Sequence, residues 1–220
     1  MEKLIRVAID GPAGAVKSTM AKLLAKELGI EYIDTGAMYR AIALKLIRTG
    51  TDYNDPEALD AVLKTTDVDF SDGKVMLDGE PAEAYIRTPE VSEMASASSA
   101  VLAVREKLVA LQRAMGQRKS VVMDGRDIGT NVLKDAECKI YLDASPRVRA
   151  ERRAKELAAK GLPCDVDAVE EDIRQRDYRD MHREHNPLAK ADDAAVIDSS
   201  YLTIPQVVEI MRAVIEEKTR

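Results

Sequence analysis

The stretch VAIDGPAGAVKSTMAKLLAKEL near the N-terminus constrains the fold more than any other part of the chain. A short apolar, β-branched run at residues 4–9 ends in a Gly-Pro turn. Beyond it, Met20, Leu23, Leu24 and Leu28 recur at helical spacing until Gly29. The pattern therefore passes from a buried strand, through a glycine-bearing loop, into an amphipathic helix. The loop, Gly11-Pro12-Ala13-Gly14-Ala15-Val16-Lys17-Ser18, matches G-x-x-x-x-G-K-[ST] at every fixed position except Val16. In that pattern successive backbone N–H groups curl around phosphates, Lys17 reaches their oxygens, and Ser18 offers a hydroxyl to Mg2+. The helix N-terminus adds a favourable dipole. With Lys17-Ser18-Thr19 intact, residues 11–19 are the expected ATP-binding segment.

Valine is the wrong residue for the last glycine of such a loop. Glycine lets the backbone approach a phosphate with no Cβ in the way, whereas a β-branched side chain adds bulk and tolerates little strained backbone. If the loop keeps its usual shape, strain of about 1–3 kcal/mol is expected at Val16. That corresponds to nucleotide binding weakened by about ten- to a hundredfold.

Further along, residues 31–34, 120–124, 138–143 and 195–200 read as short buried strands, with helices between them. Strands alternating with helices imply a mostly parallel sheet covered by helices. A helix at residues 37–49 closes at Gly50, and residues 89–115 form a helix-rich, Ala/Ser-rich stretch. Ser145-Pro146 caps a basic helix that Gly161 ends; residues 166–184 form a highly charged helix. Thr203 and Gln206 make a capping-box pattern before a final helix with Ile204, Val207, Val208, Met211 and Ile215 on its apolar face. Between the second and third core strands the character changes: residues 65–86 alternate with period two on both sides of Asp72-Gly73, which signals a hairpin and reads as an insertion.

Composition narrows the function. The chain of 220 residues carries a formal net charge of -6, which disfavours a general nucleic-acid or membrane-surface binder. The N-terminal apolar run is too short for a signal peptide, and no run approaches a membrane span. Cys138 and Cys164 have no metal-type spacing, and Cys138 sits in an apolar run as a buried free thiol, which suits a reducing cytoplasm.

Three further segments, DTGAMYRA (34–41), DGRDIGT (124–130) and RQRDYRDMHR (174–183), place Arg near Asp, Thr or Tyr. Arg40 and Arg126 follow expected strands, where open α/β sheets hold their ligands. Arg suits phosphate, and a carboxylate such as Asp127 can accept from a base amino group. Asp124 ends its strand as either a Mg2+-linked or an orienting carboxylate. His182 and His185 are expected at the surface without a catalytic role.

With IDGPAGA-KST, IYLDAS and RDYRD in the same order, nearly the whole chain resembles the bacterial cytidylate kinases of the nucleoside monophosphate kinase family. The resemblance implies a P-loop NTPase-like three-layer α/β fold in a single kinase domain. Its core would be residues 1–35, 118–145 and 185–220, with a monophosphate-binding region at about 36–117 and a small lid at about 150–172. It also implies transfer of the γ-phosphoryl group of ATP, as Mg-ATP, to CMP or dCMP by a cytoplasmic monomer. Thr35, Arg40, Ser96, Arg105, Arg126, Asp127, Arg176, Asp180 and Arg183 would hold CMP. Of these, Ser96, Arg105 and Asp127 would read the cytosine, Arg40 and Arg126 grip its phosphate, and Arg176 and Asp180 lie near the sugar. Lys17, Arg126, Arg152 and Arg153 would neutralise the transferring group.

The residues alone leave other readings open. Arg176, Asp180 and Arg183, at i, i+4 and i+7, could be a solvated ion-pair ladder on one helix face. The chain could be a nucleotide-binding protein weakened by Val16, a kinase for another small monophosphate, or a P-loop protein that binds nucleic acid.

Overall fold

The computed structural model describes residues 4–71, 73–159 and 161–220, and these divide into two compact units. The first comprises residues 4–30 and 120–220, the second residues 31–119. Asp72, the first residue of the expected Asp72-Gly73 turn, and residues 1–3 of the N-terminal run lie outside the described residues.

In the first unit, β1 (Arg6–Asp10) runs between β6 (Val121–Gly125) and β7 (Cys138–Asp143), with β8 (Ala195–Asp198) beyond β7, all parallel. Asp10 aligns with Gly125 and Tyr141, so β1 and β6 end together where the phosphate loop begins, and β7 runs two residues further. Val7, Ala8 and Ile9 of β1 and Val121, Val122 and Met123 of β6 have no exposed surface. A strand covered on both faces is apolar throughout rather than alternating, as these are. Helices α1 (Lys17–Leu28) and α8 (Ile204–Thr219) pack against each other, α1 also against β6 and α8 against β7. On α8, Val207, Met211 and Ile215 are buried as expected, but Ile204 is exposed because it is the first helical residue, before the stripe turns inward. Likewise Met20 and Leu24 bury on α1 while Leu23 stays exposed. Cys138 is buried and free, and burial pushes its thiol up to about 12; Cys164 is exposed.

Helices α6 (Pro146–Ala159) and α7 (Val166–His182) pack together. Ser145 Oγ accepts from the Val148 N–H at 3.3 Å, and Asp165 caps α7 through the Asp167 N–H. After β6 comes a π-helical turn, Ile128–Val132, for which the sequence carries no periodic signal.

In the second unit, β2 (Glu31–Asp34) leads into α2 (Thr35–Thr49), which packs on α4 (Pro89–Ser98) and α5 (Leu102–Arg118). The helix-rich stretch is thus two helices with a break at residues 99–101. A helix absent from the sequence reading, α3 (Pro56–Thr65), follows Asp55, whose side chain accepts from the Glu57 and Ala58 N–H groups at 3.1 and 3.2 Å. An antiparallel sheet of β3 (Val68–Ser71), β4 (Lys74–Leu77) and β5 (Glu80–Pro81) completes the unit, with Val68, Phe70, Val75 and Leu77 on its buried face. Among the described residues, no helix is long and apolar enough to cross a membrane.

Candidate active site

In the first unit the loop from Gly11 to Val16 joins β1 to α1. Gly11 has φ +148°, and a Cβ there would stand 2.0 Å from the Leu142 carbonyl oxygen, so only glycine fits. Pro12 and Ala15 are buried, Ala13 is half-buried, and Gly14 is exposed with φ +77°. Val16 is the N-cap of α1: its carbonyl accepts from the Thr19 and Met20 N–H groups at 3.1 and 3.2 Å. Its φ of 54° and ψ of 19° put a β-branched residue in the left-handed region, where such a side chain is a genuine outlier. The loop thus keeps a glycine's conformation with valine in it.

Lys17 is buried, and its ammonium donates to the Pro12 carbonyl at 2.7 Å. Burial lowers its pKa to about 7, helped by the Arg126 charge and opposed by Asp124, Asp10 and Asp180. The Ser18 hydroxyl donates to Asp124 Oδ2 at 2.9 Å, at the end of β6. A hydroxyl backed by a buried carboxylate is a donor set that suits a hard cation arriving on phosphate oxygens. Thr19, in the first exposed turn of α1, lines a cavity of about 400 Å3 with Val16, Arg152, Leu202, Ile204 and Val207. Arg152 donates to Ser199 Oγ at 3.2 Å and to its carbonyl at 2.6 Å. Arg153 is half-exposed and pairs with Glu156 at 3.2 Å.

A row of Arg–Asp pairs runs beside the loop. Arg126 Nε donates to Asp180 Oδ2 at 2.8 Å, and Arg183 to Asp127 Oδ1 at 3.0 Å. Burial pushes the Asp180 carboxyl up, but Arg126, with Arg176 and Arg183, holds it below the usual range. Burial works against the Arg126 charge, but Asp180, together with Asp124 and Asp177, raises its pKa. Asp127 also accepts from Asn131 Nδ2 at 3.0 Å. Arg176 and Asp180 sit on α7, but α7 ends at His182, so Arg183 leaves the helical face. The i+7 ladder is therefore corrected: Arg183 turns back to Asp127 and to the Asn186 carbonyl instead.

Two groups that the sequence did not single out hold this arrangement. Asp10 accepts from the Ile128 and Gly129 N–H groups at 2.8 and 2.7 Å, fixing the turn after Arg126-Asp127. Burial pushes it up to about 6, against those hydrogen bonds. Its signal was an acid closing an apolar strand run. Arg149, hidden among the arginines of α6, is the other, and it has no local signal that separates it from Arg147, Arg152 or Arg153.

In the second unit, Asp34 caps α2 by accepting from the Ala37 N–H at 2.9 Å, and Arg87 approaches its other oxygen at 3.3 Å. Thr35 is buried at the start of α2, and Arg40 reaches back so that its NH1 would lie 3.3 Å from a Cβ on Gly36. Ser96 is half-buried on α4. Arg105, only 1% exposed on α5, donates to the Ser99 carbonyl at 3.4 Å and lies over the Tyr39 ring, 5.7 Å from its centroid.

The chain matches the model of the family described as cytidylate kinase over residues 7–217. It is 48% identical to the cytidylate kinase of Lactobacillus johnsonii over 221 residues, covering 99% of this chain and 96% of that protein. It is 51% identical to that of Caldicellulosiruptor saccharolyticus over 211 residues, covering 94% and 93%. Among solved structures, shikimate kinase from Bacteroides thetaiotaomicron is similar in fold, with a TM-score of 0.51 at 13% identity over 97% of this chain and 99% of that one.

Proposed function

The chain belongs to the cytidylate kinase family, and we propose from that premise how its residues carry the reaction. The enzyme transfers the γ-phosphoryl group of ATP to CMP or dCMP, giving the diphosphate and ADP. The acceptor phosphate oxygen is already anionic, so neither a covalent enzyme intermediate nor a strong general base is required. Catalysis is alignment and charge neutralisation.

On this reading residues 11–19 take the triphosphate. Lys17 exchanges the Pro12 carbonyl for phosphate oxygens and gains a full charge there. Ser18, with Asp124 behind it, would hold Mg2+; that ion supplies charge neutralisation on the phosphate oxygens. The 400 Å3 cavity, with Arg152 at its wall, is a volume suited to the nucleoside end of ATP. Arg126 leaves Asp180, and Arg153 leaves Glu156, to meet the transferring group. Asp127 and Arg183 in the first unit, with Arg176 and Asp180, serve CMP. In the second unit Thr35 and Arg40 serve its phosphate end, and Ser96 and Arg105 its base. The acidic balance of the chain favours small-molecule substrates over nucleic acid, and we read the enzyme as a cytoplasmic monomer.

The observation that carries this reading is Lys17 and Ser18 at the foot of a strand–loop–helix unit inside a family match of nearly full length. A second reading, a kinase slowed at the ATP end, is favoured by the left-handed backbone of Val16. The test is ADP production from Mg-ATP with CMP, dCMP, UMP or AMP, on this protein and Val16→Gly in parallel. CMP- and dCMP-dependent turnover is expected from both, faster in the glycine form. Folded protein of both kinds that gives no CMP-dependent ADP would overturn the kinase reading.

A further inference from the structure

Arg149 lies in the first turns of α6, a helix rich in exposed basic residues, yet it is 3% exposed. Each of its three guanidinium nitrogens donates a hydrogen bond. Nε donates to the Ala144 carbonyl at 2.8 Å, one terminal nitrogen to the Ala13 carbonyl at 2.9 Å, and the other to Asp177 Oδ2 at 2.6 Å. Ala13 is the third residue of the phosphate loop. The Arg149 Cβ and Cγ would stand 3.3 and 3.7 Å from a Cβ on Gly14, so the same side chain also floors the loop at its exposed glycine. Asp177 belongs to α7, one residue after Arg176 and three before Asp180, which holds Arg126 at 2.8 Å.

Burying an arginine–carboxylate pair is costly, and well-packed apolar residues of similar volume would serve packing as well or better. The charge-assisted bonds do fix geometry, because a planar fork with three acceptors allows little independent movement of what it joins. Loop and helix are therefore not free to shift separately: a displacement of the Ala13 carbonyl moves the guanidinium, and with it Asp177.

We propose that Arg149 and Asp177 are a positioning pair that couples the phosphate loop to α7, so that each substrate favours the binding of the other. The proposal rests on reading the loop as the ATP site and the α7 residues as part of the CMP site. Neither residue touches a substrate; both act through Ala13 on one side and through Arg176, Asp180 and Arg126 on the other. Coupling of this kind is reciprocal and runs to about five- to a hundredfold in affinity.

Calorimetric titration tests it. CMP is titrated into the protein alone and into the protein saturated with Mg2+ and a non-hydrolysable ATP analogue, and the order is then reversed. The expected result is CMP bound about fivefold or more tightly with the analogue present, and the analogue tightened by the same factor by CMP. In Arg149→Lys, which keeps the charge but cannot span three acceptors, and in the isosteric Asp177→Asn, the factor should fall below about twofold. Thermal melts show which variants are folded, and one folded variant of the two decides the matter. An undiminished factor in a folded variant overturns the proposal, as does its absence from the unaltered protein. A merely structural role would weaken both ligands without changing their ratio. Failure of CMP to bind the unaltered protein at all would instead remove the kinase reading, and the coupling with it.

Discussion

At Val16 a single side chain opposes the conformation its neighbours require. The carbonyl of residue 16 must open α1, and the loop must curl at φ 54°, which glycine adopts freely. Replacing it by glycine should remove strain of about 1–3 kcal/mol from the folded chain and, by clearing a Cβ from the path of the phosphates, tighten ATP by up to about ten- to a hundredfold. The change should appear in the KM for ATP, leaving the KM for CMP within about twofold; an unchanged ATP KM would show that the valine side chain does not hinder the triphosphate. Lys17 gives a second prediction. Burial and the Arg126 charge lower its pKa to about 7, so above that pH the neutral amine must take up a proton to meet a triphosphate. ATP affinity should weaken above pH 7, by up to about tenfold per pH unit. Calorimetry at pH 8 in buffers of different ionisation enthalpy should show proton uptake approaching one per site, and no uptake would refute it. The sign for stability is opposite. Between about 7 and the ordinary lysine value the unfolded chain binds more protons at this position, so its contribution to stability rises with pH across that window.

Whole elements follow their end signals more closely than their faces. The strands at 138–143 and 195–198 and the helices after Ser145-Pro146 and Thr203 were legible because apolar runs, caps and glycines fall where the backbone needs them. The same signals were present for α3, with Asp55 before Pro56 and Leu59 and Leu63 facing inward, and only its nearness to the hairpin pattern hid it. Its cap makes a clean test, since Asp55 is exposed and satisfies two N–H groups. Asp55→Ala should cost about 0.5–2 kcal/mol in chemical unfolding. A loss below the error of the measurement would mean that packing alone holds this helix. What could not be read was which arginine turns inward. Arg147, Arg149, Arg152 and Arg153 share one helix and one residue type, and only the loop beneath α6 makes Arg149 buried and Arg153 half-exposed. The pairs Arg126–Asp180 and Arg183–Asp127 span more than fifty residues of sequence, so no local period announces them.

At the scale of the molecule, the cations around the phosphate loop and α7 are each held by an acid or a carbonyl: Lys17 by Pro12, Arg126 by Asp180, Arg183 by Asp127, Arg149 by Asp177. Substrate phosphates must replace several of these partners, so net binding energy is a difference between two sets of charge-assisted bonds. Discrimination should then come mainly from groups that meet the base, because a phosphate end is common to all nucleoside monophosphates. A buried site built to meet an amino group penalises an analogue that leaves its acceptor unpaired. Stability reads this directly, since a ligand that binds only the folded state raises it by about 2.7 kcal/mol at a hundredfold excess over its Kd. For a chain of this size that is a rise in Tm of about 5–11 °C. Thermal melts with CMP at such an excess should show a rise of that size, and dCMP should approach it. UMP and AMP at the same concentration should raise Tm by less than half as much, since their bases offer Asp127 no matching amino donor in the cytosine position. Equal shifts with all four would mean that the phosphate contacts alone bind, and that Ser96, Arg105 and Asp127 do not read the base.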